Sequence, residues 1–293
     1  RLEHGTQSTD HGRKGGTYSV LSTPGSSDDP PETVLSGRRA ADKGCFVLAR
    51  LGSTAFWLFV IVSSLLLFPV ALLIWAATVL FDPQLRWLHQ FTCFWASIYT
   101  WLNPVWRVSI EGRQKIRPNV AYVMVANHQS LLDILVLFRL FRHFKWVSKI
   151  ENFRVVVIGW NMSLNRYIKL RRGDKASIDQ MMQACETTLK DGNSIMMFPE
   201  GTRSFDGRLK EFKHGAFTLA KSVAAPLLPI VIEGTAHALP KRGFVLRGHH
   251  AIRVRILDEI PYASFAHKPV EVLMEEVRNL IGSQLGELPA RAA

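Results

Sequence analysis

The chain is poor in what several enzyme classes require. Three cysteines in 293 residues, Cys45, Cys93 and Cys185, are scattered, odd in number and without metal-ligand spacing. They suggest neither a disulfide framework nor a zinc site, and point to free thiols in a reducing compartment. No Gly-x-Ser-x-Gly elbow occurs, which disfavours a serine hydrolase. No internal repeat is present. Charge is missing altogether between Thr54 and Phe81, 28 residues (TAFWLFVIVSSLLLFPVALLIWAATVLF). That is more than the roughly 20 residues needed to cross a bilayer core, so the expectation is a membrane protein. The run begins too far along the chain, and is too long, for a signal-peptide core, and is expected to be retained. The chain does not begin with Met, and a processed form is expected.

Of what is present, 47% hydrophobic residues suffice for one large domain plus an appendage. Net charge is +12, of which +10 falls after residue 110. Such an excess suits anionic lipid, a phosphorylated substrate or nucleic acid, or is a solvated face. Residues 1–50 read as a polar, basic tail, disordered to about residue 44, because Gly, Ser, Thr, Pro and charge bury too little apolar surface to offset chain entropy. Residues 51–106 read as membrane-anchoring helices. After the uncharged run comes a second apolar, aromatic stretch, Trp87 to Trp106, with His89 and tryptophans at 87, 95, 101 and 106. Tryptophan favours the headgroup layer.

Arg38, Arg39, Lys43 and Arg50 keep the N-terminal flank cytoplasmic by the positive-inside rule. A single crossing would put the rest of the chain outside. For a cytosolic substrate, the second run must return the chain, or both runs must form a hairpin in one leaflet, with Pro69 as the bend. A hairpin or double anchor is expected, with the catalytic domain facing the cytoplasm.

From residue 107 to 293 apolar strand-like runs (108–110, 120–126, 145–147, 167–170, 194–198, 228–232, 252–257) alternate with helical patterns. Ile178, Met181, Met182, Cys185 and Leu189 give Lys175–Lys190 a helical period ending at Gly192. The expected fold class is α/β, a mostly parallel sheet flanked by helices, with an N-terminal helical anchor.

Two clusters carry chemistry. In Asn127-His128-Gln129-Ser130-Leu131-Leu132-Asp133, histidine and aspartate stand five positions apart, on different faces of an ideal helix. They meet only if the helix starts between them. Ser130 followed three residues later by Asp133 fits a capping box that supplies this start. Asp133 would then orient the His128 imidazole. The second cluster, Phe198-Pro199-Glu200-Gly201-Thr202-Arg203-Ser204, follows a predicted strand. Gly201 admits close backbone approach, and Arg203 offers a fork for phosphate.

Asn127-His128-Gln129-Ser130 with Asp133, then Phe198 to Arg203, then Leu228-Pro229-Ile230-Val231, resembles the ordered motif series of the glycerolipid acyltransferases, in particular those that act on 1-acyl-sn-glycerol 3-phosphate. An intermediate motif, a glycine followed by a strand ending in arginine, is matched loosely by Gly159 and Tyr167 to Arg171, without the acid that commonly precedes that arginine. The resemblance covers residues 105 to 260.

It implies transfer of a fatty acyl group from acyl-CoA or acyl carrier protein to the sn-2 hydroxyl of lysophosphatidic acid, giving phosphatidic acid, with no metal and no cofactor beyond the thioester co-substrate. His128 would be the general base and Asp133 its orienter. Arg203, Arg171 and Lys149 would hold the acceptor phosphate, with Gly201 and Thr202 in the same loop. Glu200 would order that loop or bind a glycerol hydroxyl, since like charges repel phosphate. The oxyanion donors are amides near Gly201 or at the helix start at Ser130. Lys213 faces substrate or simply starts a helix. His249-His250 reads as a polar turn, and Asn161-Met162-Ser163 as a chance glycosylation triplet. Another acceptor, or a non-enzymatic lipid-binding protein, is the competing expectation. A nucleic-acid binder is disfavoured by the lack of an interleaved aromatic and basic platform.

Overall fold

The computed structural model describes residues 32–204, 208–240, 245–246 and 248–286, with side chains from residue 50 onward. By internal contacts the chain forms two units, residues 1–45 and 46–293. The expected disordered tail falls mostly on residues 1–31, outside the described residues. From Glu32 the chain is helical, as the first helix, α1, spans Glu32–Thr78. Residues 32–44 of the expected tail fall within α1. Extending an existing helix needs no new nucleus, so even the glycines at 37 and 44 are carried.

Helix α2 (Arg86–Trp101) follows after a short turn. Then come strands β1 (Trp106–Glu111) and β2 (Val123–Ala126), helix α3 (Leu132–Phe138), β3 (Phe144–Lys149), α4 (Ile158–Leu164), β4 (Ile168–Leu170), α5 (Lys175–Lys190) and β5 (Ser194–Met197). Helix α6 (Gly215–Ser222), β6 (Leu227–Glu233), α7 (Thr235–Ala238), β7 (His250–Ile256), α8 (Tyr262–Phe265) and α9 (Val270–Gln284) complete the order. Every strand expected from the sequence is present, and α5 has the expected bounds. His250 begins β7 rather than lying in a turn.

The strands form one sheet of order β1-β7-β6-β2-β5-β3-β4. All neighbours are parallel except β6 and β7. The central strands β2, β5 and β6 are buried along their whole length, which is why they read as unbroken apolar runs. Toward the β1 edge, β1 and its neighbour β7 alternate in exposure.

Helices cover both faces. Met124, Phe144, Trp146 and Met196 pack with Leu132, Val136 and Leu137 of α3 and Cys93 of α2 on one face. Val123, Val125, Ile195 and Met197 pack with α5, α6 and α9 on the other. The neighbouring strands β2 and β5 thus send their following helices, α3 and α6, to opposite faces. Between their C-terminal ends this opens the crevice where ligands bind in open α/β sheets.

Of the expected hairpin or double anchor, the second run is α2, which is packed against the domain. Its Leu88, His89, Cys93, Trp95 and Tyr99 are buried, and the helix packs on α3 and the domain core. Its polar positions find protein partners: His89 Nδ1 is 2.9 Å from Tyr167 Oη, and Asn165 Nδ2 donates to Thr92 Oγ1 at 3.1 Å. Trp95 and Trp106 are core residues, whereas Trp87 and Trp101 are exposed. Among the described residues one helix, Arg50–Thr78, is long and apolar enough to cross a membrane, and it runs through Pro69. One stripe of it is packed. Ser53 Oγ accepts from Leu246 N at 2.8 Å, Phe56 meets Trp106 edge-on, Ser64 Oγ lies 3.0 Å from Tyr99 Oη, and Ala71 is buried. The opposite face, with Leu58, Ile61, Leu65, Leu66, Leu72 and Leu73, is exposed.

Candidate active site

At the end of β2, Asn127 fastens the chain to β6. Its Nδ2 donates to Ile232 O and its Oδ1 accepts from Ile232 N, both at 2.8 Å. A buried carboxamide that satisfies a strand's amide and carbonyl together fixes where the turn begins. The turn delivers His128 beside Asp133, with His128 Nδ1 2.8 Å from Asp133 Oδ2. The same oxygen accepts from the amides of Gln129 at 2.6 Å and Ser130 at 2.8 Å. Asp133 is fully buried in the first turn of α3, and the His128 side chain keeps 12% exposure.

The capping box is realised in half. Asp133 takes the Ser130 amide as the motif requires, but the Ser130 hydroxyl accepts from Leu132 N at 3.2 Å and donates to Leu239 O at 2.5 Å. The residue at the cap position is Leu131, not Ser130. The Ser130 hydroxyl proton goes instead to the Leu239 carbonyl.

The loop after β5 closes over this pair. Phe198 stacks on the imidazole with centroids 3.9 Å apart and planes within 9°, and Trp146 backs Phe198 at 5.4 Å. Ser204 N donates to His128 O at 2.8 Å. Glu200 is buried and gives one oxygen to His128 N at 2.7 Å and the other to Lys210 N at 3.2 Å. Burial pushes its carboxyl up to about 7, against the two amide donors, which favour the charged form. Gly201 sits at φ +68, where a Cβ would meet Lys213 Cε at 3.1 Å and Nζ at 3.3 Å. The Lys213 ammonium therefore lies over the loop glycine, and Lys213 N anchors on Pro199 O at 2.9 Å.

An imidazole fixed by a buried carboxylate has the geometry in which a histidine can take a proton, and Lys213 and Arg203 place positive charge on the neighbouring loop. The sequence-family model described as Acyltransferase matches residues 107–233. The chain is 36% identical over 274 residues to the chloroplastic 1-acyl-sn-glycerol-3-phosphate acyltransferase LPAT1 of Arabidopsis thaliana, covering 91% of this chain and 70% of that protein. The chain belongs to this acyltransferase family. A 1-acyl-sn-glycerol-3-phosphate acyltransferase of Saccharomyces cerevisiae is 34% identical over 186 residues, covering 62% of this chain and 60% of that protein. The crystal structure of the 1-acyl-sn-glycerophosphate acyltransferase PlsC from Thermotoga maritima shares the fold, with TM-score 0.70 at 22% identity over 85% of this chain and 99% of that one.

In this acyltransferase the structure gathers His128, Asp133, Glu200, Gly201 and Lys213 around one crevice. Thr202 is exposed and Arg203 half-buried on the same loop. Lys149 and Arg171 lie at the same sheet edge but on β3 and just past β4, the strands beyond β5. Lys149 Nζ is 3.3 Å from Glu151 Oε1. Arg171 is exposed, and its amide donates to Ser177 Oγ at 2.9 Å. Gly159 belongs to α4, where a Cβ would stand 2.2 Å from Phe153 O. Asn161 is buried in α4 with Nδ2 3.2 Å from Thr92 Oγ1, which places the sequon out of reach of glycosylation. Sequence reasoning gave Asn127, Phe198 and Trp146 no role. The usable signal was an aromatic residue directly before the Pro-Glu-Gly turn.

Proposed function

We propose that the chain transfers a fatty acyl group from a thioester donor, acyl-CoA or acyl carrier protein, to the sn-2 hydroxyl of lysophosphatidic acid. The observation that carries this reading is the 2.8 Å contact of His128 Nδ1 with the buried Asp133 carboxylate. With Nδ1 engaged, Nε2 is the nitrogen available to substrate. It takes the proton of the sn-2 hydroxyl as that oxygen attacks the thioester carbonyl. The tetrahedral intermediate collapses, the C–S bond breaks, and the proton passes to the departing thiolate. The products are the ester of phosphatidic acid and a free thiol.

Asp133 holds the imidazole tautomer and stabilises the imidazolium. Phe198 holds the ring plane. Glu200 fixes the loop relative to the His128 backbone, a positioning role, since both its oxygens are engaged by amides. Arg203, with Lys213 beside Gly201, supplies positive charge for the acceptor phosphate. Lys149 and Arg171 extend that field along the sheet edge.

The packed stripe of α1 from Ser53 to Ala71 supports an orientation in which this helix stays beside the domain. Its basic N-terminal flank then keeps both on the cytoplasmic side. The test is an acceptor panel offered with each donor to the purified protein, with products read by mass spectrometry. Lysophosphatidic acid turned over in preference to glycerol 3-phosphate and to other lysophospholipids supports the reading. Turnover of another acceptor alone overturns the substrate and leaves the chemistry.

A further inference from the structure

From the end of the 3-10 helix Ile150–Arg154 into the first turn of α4, the segment Val155-Val156-Val157-Ile158-Gly159-Trp160 presents a run of apolar side chains to the outside. Val155 is 51%, Val156 61%, Ile158 41% and Trp160 50% exposed. A surface turn that only reverses the chain uses Gly, Asn, Asp or Ser. Here the turn is made by Val157 at φ 67, a backbone region that β-branched residues avoid. Gly159 N bonds to Val155 O at 2.7 Å and Ile158 N to Val156 O at 2.8 Å, closing the turn tightly. Val157 itself points inward, packed with Ala71, Leu85, Leu88, Trp95 and Tyr99. The strained residue is thus the one pinned to the core, and its neighbours are held out.

The patch is continuous with the apolar helix. The Trp160 ring lies 5.5 Å from the Phe68 ring of α1, whose outer face carries the exposed Leu65, Leu66, Leu72 and Leu73. Its flank is basic. Arg154 is exposed immediately before Val155, Arg166 is exposed just after α4, and Lys169 Nζ sits 5.2 Å over the Phe153 ring. The nearby acid Glu151 is paired with Lys149. Valine and isoleucine at a tip, tryptophan at its shoulder and cations around it match, in order, the acyl, interfacial and anionic headgroup layers of a bilayer leaflet.

We propose that the Val155–Trp160 turn is a membrane wedge of the catalytic domain itself, seated in an anionic leaflet beside α1. The turn leaves β3 at the sheet edge that also carries His128, so the wedge brings that edge to the lipid surface from which a lipid acceptor comes. It gives the domain a second point of attachment, and two points fix its tilt where one helix leaves rotation free.

The proposal is tested on the full chain in vesicles of phosphatidylcholine with and without phosphatidylglycerol. A fluorescent label is placed at Val156→Cys, or at Ile158→Cys as a second position, after replacing the three native cysteines by alanine. Gln183→Cys on α5 is the reference. Lipid-borne nitroxide is expected to quench the wedge labels several-fold more than the reference, aqueous iodide to do the reverse, and Arg154→Gln to weaken lipid quenching in the anionic vesicles. Equal iodide access at Val156 and Gln183 overturns the proposal. So does shielding that grows with protein density and yields cross-links between wedge cysteines of two chains, which makes a second copy the occupant. Neither readout depends on acyl transfer.

Discussion

Asp133 Oδ2 lies 2.8 Å from His128 Nδ1 while also accepting the amides of Gln129 and Ser130. One oxygen thus starts α3 and orients the imidazole. The five-residue separation works because the chain between the two residues is a turn, not a helix. His128→Ala is expected to lower kcat by about 10² to 10⁴, the usual contribution of a positioned base, with little change in melting temperature. Asp133→Asn keeps an acceptor oxygen but loses the charge, and should cost activity in the same range plus about 1 to 3 kcal/mol of stability from weakened capping of buried amides. Full activity in either variant, measured with purified protein, removes the assigned mechanism.

Glu200 is a buried acid raised from 4.5 to about 7. Between those values the unfolded chain has lost the proton that the folded one keeps. The stabilising contribution is therefore full below pH 4.5 and lost as pH rises through 7. Its size is on the order of 3 kcal/mol. Melting temperatures of wild type and Glu200→Gln are expected to converge or cross as pH rises over this window. A parallel pair of curves would show that Glu200 does not titrate there.

Gly201 at φ +68 leaves no room for a side chain without moving Lys213. Gly201→Ala should cost about 1 to 2 kcal/mol from the left-handed backbone. Because the lysine is flexible, its displacement rather than a steric clash should dominate the kinetics. A rise in KM for the phosphorylated acceptor that exceeds the fall in kcat is expected, matched by Lys213→Ala without the stability loss. An unchanged KM in both variants would place Lys213 away from substrate.

All the strands and the α/β class were legible because buried central strands such as Ser194–Met197 and Leu227–Glu233 are apolar throughout, and α5 has a clean helical period. The His128 and Glu200 clusters were legible as local motifs with defined spacing. What was not legible depends on long-range contact. The aromatic run 87–106 has the composition of a membrane segment, but His89, Thr92 and Asn165 find buried partners that only the folded domain supplies. The role of Leu131 at the start of α3 depends on Leu239, more than a hundred residues away, claiming the Ser130 hydroxyl. Phe198 reads as one more strand residue until its ring is seen on His128.

In the sequence Lys145 is one residue of an apolar strand; in the fold it is buried at the start of β3, at the edge opposite His128. Its Nζ donates to Gln84 O at 2.7 Å and to Asn165 O at 2.9 Å, tying the turn between α1 and α2 to the end of α4. Burial, reinforced by Arg166, lowers its ammonium from 10.5 to about 7. Above 10.5 the amine is neutral in both states and carries no desolvation penalty; as pH falls toward 7, only the unfolded chain gains the proton, and the contribution is lost. Lys145→Met fills the space but leaves the buried Asn165 carbonyl without this donor, at about 1 to 3 kcal/mol before the relief of burying no charge, and frees the half-buried Gln84 carbonyl. The stability gap between wild type and Lys145→Met should therefore widen as pH is raised from 7 toward 10, read as melting temperature in the same detergent. A gap that narrows over that range would mean the lysine is held as a cation, with its charge balanced by a group such as Asp82, and the turn at Gln84 would then be fastened by an ionic contact instead.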